Sequence, residues 1–338
     1  VAGGAFEGRD PAEIEALLPA LFGNGPLMVG LDAAFLALTL FIVARGVHSG
    51  IEKMAVWLMP AFFVLLLAIT IYGAVTGGAM RETLAYLFTF DFSKLTGSVM
   101  LAAVGQAFFS LSLGVAGMIT YGAYVGRDVN LAGTSTVVAG ADTAVALISG
   151  LCIFPIVFAA GLAANAGPGL MFQTLPHAFQ AIPAGSLVGL LFFIMVAFAA
   201  LTSSVALLEV PTSWMKQRFG MTRVASAVVL ALGAMVLGAL AALSFNTLGE
   251  FHPLSFIPLF EGQGMFDVLD SLTSKLFMPL AAILTCVFVG WVADRKVIDE
   301  ENGLSGGWDR LWRLLVRWVC PIALAAILLV GIFPSLTA

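Results

Sequence analysis

The chain has 338 residues, 60% of them hydrophobic and only 10% charged, with a mean hydropathy of +1.04. Soluble domains carry about 25% charged residues, so this composition excludes a soluble globular protein and predicts an all-α polytopic membrane protein. The formal net charge of −5 carries little information, because charges are few and sit mostly in loops. No nucleic-acid partner is expected. Cys152, Cys286 and Cys320 fall in apolar stretches without the paired spacing of a metal site or disulfide, so core packing is their expected role. His48, His177 and His252 are scattered through connecting segments, which argues against a histidine-based metal site or hydrolase, and with no nucleophile–base pair at useful spacing an enzyme is not expected.

A bilayer-spanning helix needs about 20 apolar residues. Eight segments qualify: 26–44, 54–77, 98–125, 131–162, 187–215, 224–244, 266–293 and 312–334. Several exceed the minimum and are expected to tilt or to extend beyond the membrane. Asp32 lies near the outer end of the first, where solvation accounts for it. Residues 78–97 hold a short amphipathic stretch expected outside the bilayer. The third segment spoils its own middle: Gln106, Ser110 and Ser112 interrupt it, and Gly114, Ala116 and Gly117 follow. Lipid cannot satisfy an opened backbone, so such a break survives only where it lines a site. In transporters, half-helix ends and freed carbonyls hold ions and substrates near the midplane. Small residues at this spacing also allow close helix packing, so that reading stays open.

The fourth segment carries Asp142 in VVAGADTAVALISG, with no base nearby in sequence. A carboxylate there needs a cation, a proton or hydrogen-bond donors. Pro168, Pro176 and Pro183 around AFQAI predict a folded external hairpin over 163–185, either a lid or a cap. The fifth segment offers hydroxyls at Thr202, Ser203 and Ser204, and Glu209 shares the face of Thr202 two turns on, as a packing acid awaiting a base. Asp267 and Asp270 open the seventh; one of them suits the helix dipole, and the two together could form an external gate.

Basic residues alternate between loops. One set carries Arg45, Lys53, Arg127, Lys216, Arg218, Arg223, Arg295, Lys296, Arg310, Arg313 and Arg317, while the other carries only Arg9, Arg81 and Lys94. Lys275 lies inside a span. The positive-inside rule therefore places both Val1 and Ala338 outside the cytoplasm. The chain starts with Val1 and a polar stretch, GGAFEGRDPAEIE, without a signal sequence. An outside N-terminus of that kind is expected of a fragment that lacks earlier helices.

Three motifs, GVHSGIEKMAVWLMP (46–60), VGQAFFSLSLGVAGMITYGAYV (104–125) and AALTSSVALLE (199–209), resemble the neurotransmitter:sodium symporter family, in particular its bacterial amino-acid transporters. The likeness covers almost the whole chain. It implies the leucine-transporter (LeuT) fold, two five-helix inverted repeats with broken first and sixth helices. This chain would form one transmembrane domain over 1–338: the last two helices of the first repeat at 26–77, the second repeat at 98–293 and a final helix at 312–334. The first three helices, including the first broken one, would be absent.

By the same resemblance, Ser110 and Asp142 belong to a first sodium site, and the charge of Asp142 implies chloride independence. Ala199, Thr202 and Ser203 match a second sodium site. Phe109, Ser112, Gly114, Val115, Ser204 and Leu207 match the substrate pocket, and Gln106 and Asp270 the external gate. Two departures stand out. The opened stretch reads GVAG where many relatives have a bulky residue before glycine, and Gln217 stands where relatives carry an internal gate acid.

The implied function is sodium-coupled symport of a neutral amino acid across the bacterial inner membrane, with sodium as the only cofactor and the bilayer as partner. Homodimerisation stays open. Rival readings are a proton-coupled permease of the same fold, with Asp142 as proton carrier, and a non-transporting remnant.

Overall fold

Apolar runs of this length have no water to bond their backbone, so each must close its hydrogen bonds internally as a helix. The computed structural model describes residues 13, 16–76, 78–126, 129–163 and 169–333, and among these the secondary structure is helical throughout, with no strand. Val1, Arg9, Arg127, Pro168 and Ala338 lie outside the described residues.

In chain order, α1 is Gly25–Ala44, with the Asn24 side chain accepting from the Leu27 amide at 3.2 Å. Helix α2, Val47–Thr76, opens on a π turn over Val47–Glu52. The amphipathic α3, Met80–Phe88, follows. The third apolar segment arrives in two pieces, α4 (Gly97–Ser110) and α5 (Gly117–Gly122). Then come α6 (Leu131–Ala159), α7 (Leu175–Gln180), α8 (Gly185–Phe219) and α9 (Arg223–Leu243). Helix α10 is Met265–Val292, α11 Arg295–Asn302 and α12 Gly306–Ile332. Seven of the described helices, α1, α2, α6, α8, α9, α10 and α12, are long and apolar enough to cross a membrane. The third expected span, 98–125, is present as the broken pair α4 and α5, interrupted where the sequence predicts. Helix α8 outruns the expected 187–215 because Lys216 and Arg218 suit its last turn and Gly220, left-handed, ends it.

The chain divides into two compact units. The first comprises residues up to Phe90 and Ala144–Gly249. Its core joins Leu66 and Ile69 of α2, Cys152 and Ile156 of α6, Leu175 and Phe179 of α7, and Phe192 and Met195 of α8. Helices already in lipid gain little from apolar burial, so shape fit and polar contacts hold this core. In the described part of the expected hairpin, 169–185, Leu175, Ala178 and Phe179 are buried, and the Tyr72 hydroxyl donates to the Pro183 carbonyl. Glu209, fully buried, finds its base. Arg223 donates one guanidinium nitrogen to Glu209 Oε1 at 3.1 Å and another to Oε2, and its Nε donates to the Val43 carbonyl at 2.7 Å. Three helices, α1, α8 and α9, are thus tied at one end.

Asp32 corrects an expectation. Rather than being solvated, its Oδ2 is buried without a hydrogen-bond partner and faces Gly238 of α9, where any Cβ would collide with it. Helices α1 and α9 pack so closely there that this oxygen is cut off from water, while the residue as a whole stays half-buried.

The second unit comprises Asp91–Thr143 and the residues from Glu250 onward. Helix α12 packs along α10. At their base-rich ends Trp291 and Trp318 meet edge to face, with ring centroids 5.7 Å apart. Arg313 donates to Asp309 at 2.9 Å and also to Asp299, joining α11 to α12. In the connection before α4, the Ser93 hydroxyl and amide hold the Asp91 carboxyl below its ordinary range.

Candidate functional site

Backbone conformation makes the break in the third span. Ser112 (φ 53°), Gly114 (φ 89°) and Ala116 (φ 59°) are all left-handed, a conformation that ends an α-helix and strains every residue but glycine. Leu113 still donates to the Phe108 carbonyl, 3.1 Å, and the ladder restarts where Thr120 donates to the Ala116 carbonyl, 2.9 Å. Between them, among the described residues, the amides of Gly114 and Val115 find no backbone acceptor. Glycine at 114 is dictated twice, since a Cβ there would also overlap the Met278 carbonyl of α10. The opened stretch is therefore held against α10 by direct backbone approach.

At the end of α4, the Ser110 hydroxyl donates to Asp142 Oδ1 at 2.6 Å. The Ser110 oxygen keeps its lone pairs and Asp142 offers two carboxyl oxygens, one of them not engaged by Ser110. Hard cations take such oxygen ligands. The structure thus joins the two residues assigned to the first sodium site.

In the first unit, Thr202 Oγ1 donates to the Ala199 carbonyl at 2.8 Å, so two of the three oxygens assigned to the second site adjoin each other. Ser203, the third, is exposed on the same helix. Ser204 has another attachment: its hydroxyl lies 2.8 Å from that of the buried Thr39 in α1 and donates to the Leu201 carbonyl at 3.0 Å.

A cavity of about 490 Å³ opens beside the break, and Ser112 and Gly114 line it together with Phe108, Met118, Ala282 and Thr285. Phe109 and Val115 do not line it. Phe109 is 58% exposed and Leu207, in the first unit, 56%. Gln106 and Asp270, assigned to the gate, are both exposed. Asp267 sits in the first turn of α10, where its charge suits the helix dipole. Gln217 donates to the Ser213 hydroxyl at 3.5 Å.

Sequence reasoning missed two residues. Met278 acts through its carbonyl, to which side-chain identity gives no clue. Thr39 is a lone hydroxyl in LALTLF, and lone hydroxyls in membrane helices usually bond their own helix, as this one also does through the Phe35 carbonyl at 3.0 Å.

The model of the sodium:neurotransmitter symporter family matches residues 23–336. The chain is 32% identical to the uncharacterised sodium-dependent transporter YhdH of Bacillus subtilis (strain 168), over 97% of this chain and 72% of that protein. It is 30% identical to an uncharacterised sodium-dependent transporter of Haemophilus influenzae, over 92% of this chain and 67% of that one. The crystal structure of MhsT in complex with L-phenylalanine superposes with a TM-score of 0.85 at 39% identity, covering 98% of this chain and 74% of MhsT.

Proposed function

The chain belongs to the sodium:neurotransmitter symporter family, a sodium-coupled transporter in a multi-pass membrane fold, and from that premise we propose that it serves symport of a neutral amino acid across the bacterial inner membrane by alternating access. Ser110 and Asp142 are ligands of one sodium ion, and the Ala199 carbonyl, Thr202 and Ser203 of a second. Phe109, Ser112, Gly114, Val115, Ser204 and Leu207 line the substrate pocket. Gln106 and Asp270 close it from outside. Residues 26–77 end the first repeat, 98–293 form the second and 312–334 the last helix.

The carrying observation is the 2.6 Å bond from Ser110 to Asp142 at the mouth of the opened helix. A carboxylate that accepts from a hydroxyl is ready to take a cation, and it supplies the charge that makes chloride unnecessary. Sodium and substrate then occupy one neighbourhood, so each tightens the binding of the other, and together they favour the occluded state. The bound L-phenylalanine of MhsT supports an amino acid as cargo. Val115, smaller than the residue many relatives carry, supports a medium or large neutral side chain, aromatic or branched.

Uptake of labelled leucine by cells expressing the gene tests the reading. It should require a sodium gradient, and tryptophan or tyrosine should compete. Uptake that follows a pH gradient and ignores sodium would transfer Asp142 to the proton-coupled alternative. Absence of competition would remove the side-chain assignment.

A further inference from the structure

Arg317 stands five residues inside the apolar segment 312–334, about 8 Å along the helix at 1.5 Å per residue. A charge at that depth is expensive unless it is paired or reaches the interface. Its Nε donates to the Gly290 carbonyl at 2.6 Å, within the π turn Phe288–Val292 of α10. The two terminal nitrogens of the guanidinium remain. Among the described residues the arginine ion pairs engage Arg223, Arg295 and Arg313, and Arg317 has none.

A cavity of about 40 Å³ opens beside it, lined by Gly290, Trp291, Arg295, Trp312, Arg313 and Arg317. Three arginines line it. Their acids are two, Asp299 and Asp309, and Arg313 takes both. Arg295 reaches only Asp299, at 4.0 Å. Arg317 is thus the arginine of this corner left without a carboxylate among the described ion pairs. The volume admits a few water-sized groups, such as the oxygens of a phosphate, and nothing larger.

The surroundings say what carries that phosphate. Tryptophans mark the headgroup level of a bilayer, and Trp291, Trp308, Trp312 and Trp318 cluster at this end of α10 and α12. Toward the membrane interior, Phe288 is 58% exposed and Ile322, one turn beyond Trp318, 64%. This apolar face continues from the cavity mouth, where acyl chains would run. The loops at this end belong to the base-rich, cytoplasmic set, and the anionic lipids of that leaflet attract such bases.

We propose that Arg317, supported by Arg295, binds the phosphate of an anionic phospholipid. The planar fork of arginine offers paired donors that match phosphate oxygens. Arg317 already holds α10 through the Gly290 carbonyl, so the bound headgroup also braces the cytoplasmic ends of α10 and α12.

The test is native mass spectrometry of the purified chain in detergent, with phosphatidylglycerol and phosphatidylcholine offered in equal amounts. The wild type should retain phosphatidylglycerol about fivefold over phosphatidylcholine, the worth of one interfacial arginine. Arg317→Gln should abolish that preference, and Arg310→Gln, which changes an exposed base outside the cavity, should keep it. Should Arg317→Gln fail to fold, Arg317→Lys retains the charge without the fork and should weaken the preference. An unchanged preference in either Arg317 variant overturns the proposal. Displacement of the lipid by millimolar inorganic phosphate would reveal a free-anion site and overturn the lipid assignment.

Discussion

The two units solve opposite problems with the same material. In the first lie most of the buried apolar side chains among the described residues, twelve of them in one continuous core, and the buried acid Glu209 is answered by Arg223. In the second, the buried apolar side chains among the described residues are Phe260, Val268, Met278, Pro279, Ala282 and Leu324, and the backbone is broken at 111–116 in three left-handed residues. Membrane helices hold together by fit and polar contact rather than by exclusion of water. A unit that spends polar groups on its own closure is a scaffold. One that leaves opened backbone and an acid near a cavity keeps them for a ligand.

The largest expected effect breaks the scaffold. Glu209→Ala strands Arg223 among α1, α8 and α9, and losing one partner of a buried pair costs about 3–5 kcal/mol. Thermal unfolding in detergent should show a large drop, and a melting curve like the wild type would mean that the pair holds nothing. Next comes Asp142→Ala in the opened unit. Removing a charge-assisted partner costs about 1.5–3 kcal/mol, so the sodium concentration for half-maximal uptake should rise at least tenfold while the melting temperature stays nearly level. Equal losses of stability and sodium response would erase the distinction between the units.

Gly114→Ala is subtler. Left-handed backbone costs about 1–3 kcal/mol outside glycine, and the new methyl must also push Met278 away. Transport should fall sharply in a protein that still folds, as uptake and size-exclusion chromatography together would show. The smallest effect has the opposite sign. Ala116→Gly relieves a left-handed alanine (φ 59°) and should stabilise by about 1 kcal/mol. A fall in melting temperature would show that the strain at 116 is not borne by the folded state.

Much of this is legible in the order of residues. GQAFFSLSLGVAG announces the opened helix because serine, glycine and alanine interrupt a run that lipid would otherwise demand be continuous. Glu209 announces a missing base by its depth alone. Asp32 escapes such a reading because distance from a helix end says nothing about what faces it, and a glycine on α9, more than two hundred residues away, decides that. Ser204 matches a substrate face, yet its hydroxyl also meets Thr39, a neighbour that no local pattern reveals.

The sequence by itself determined the class of protein, the number and place of its apolar runs, the site of the break and the family. These depend on composition and on near-neighbour chemistry, which the order of residues states directly. Tertiary structure alone decided which groups meet: Ser110 with Asp142, Arg223 with Glu209 and Val43, Gly114 with the Met278 carbonyl, and Arg317 with the carbonyl of Gly290. Those contacts depend on how helices far apart in the chain turn their faces toward one another, and a membrane helix apolar on all sides gives no sign of which face that will be.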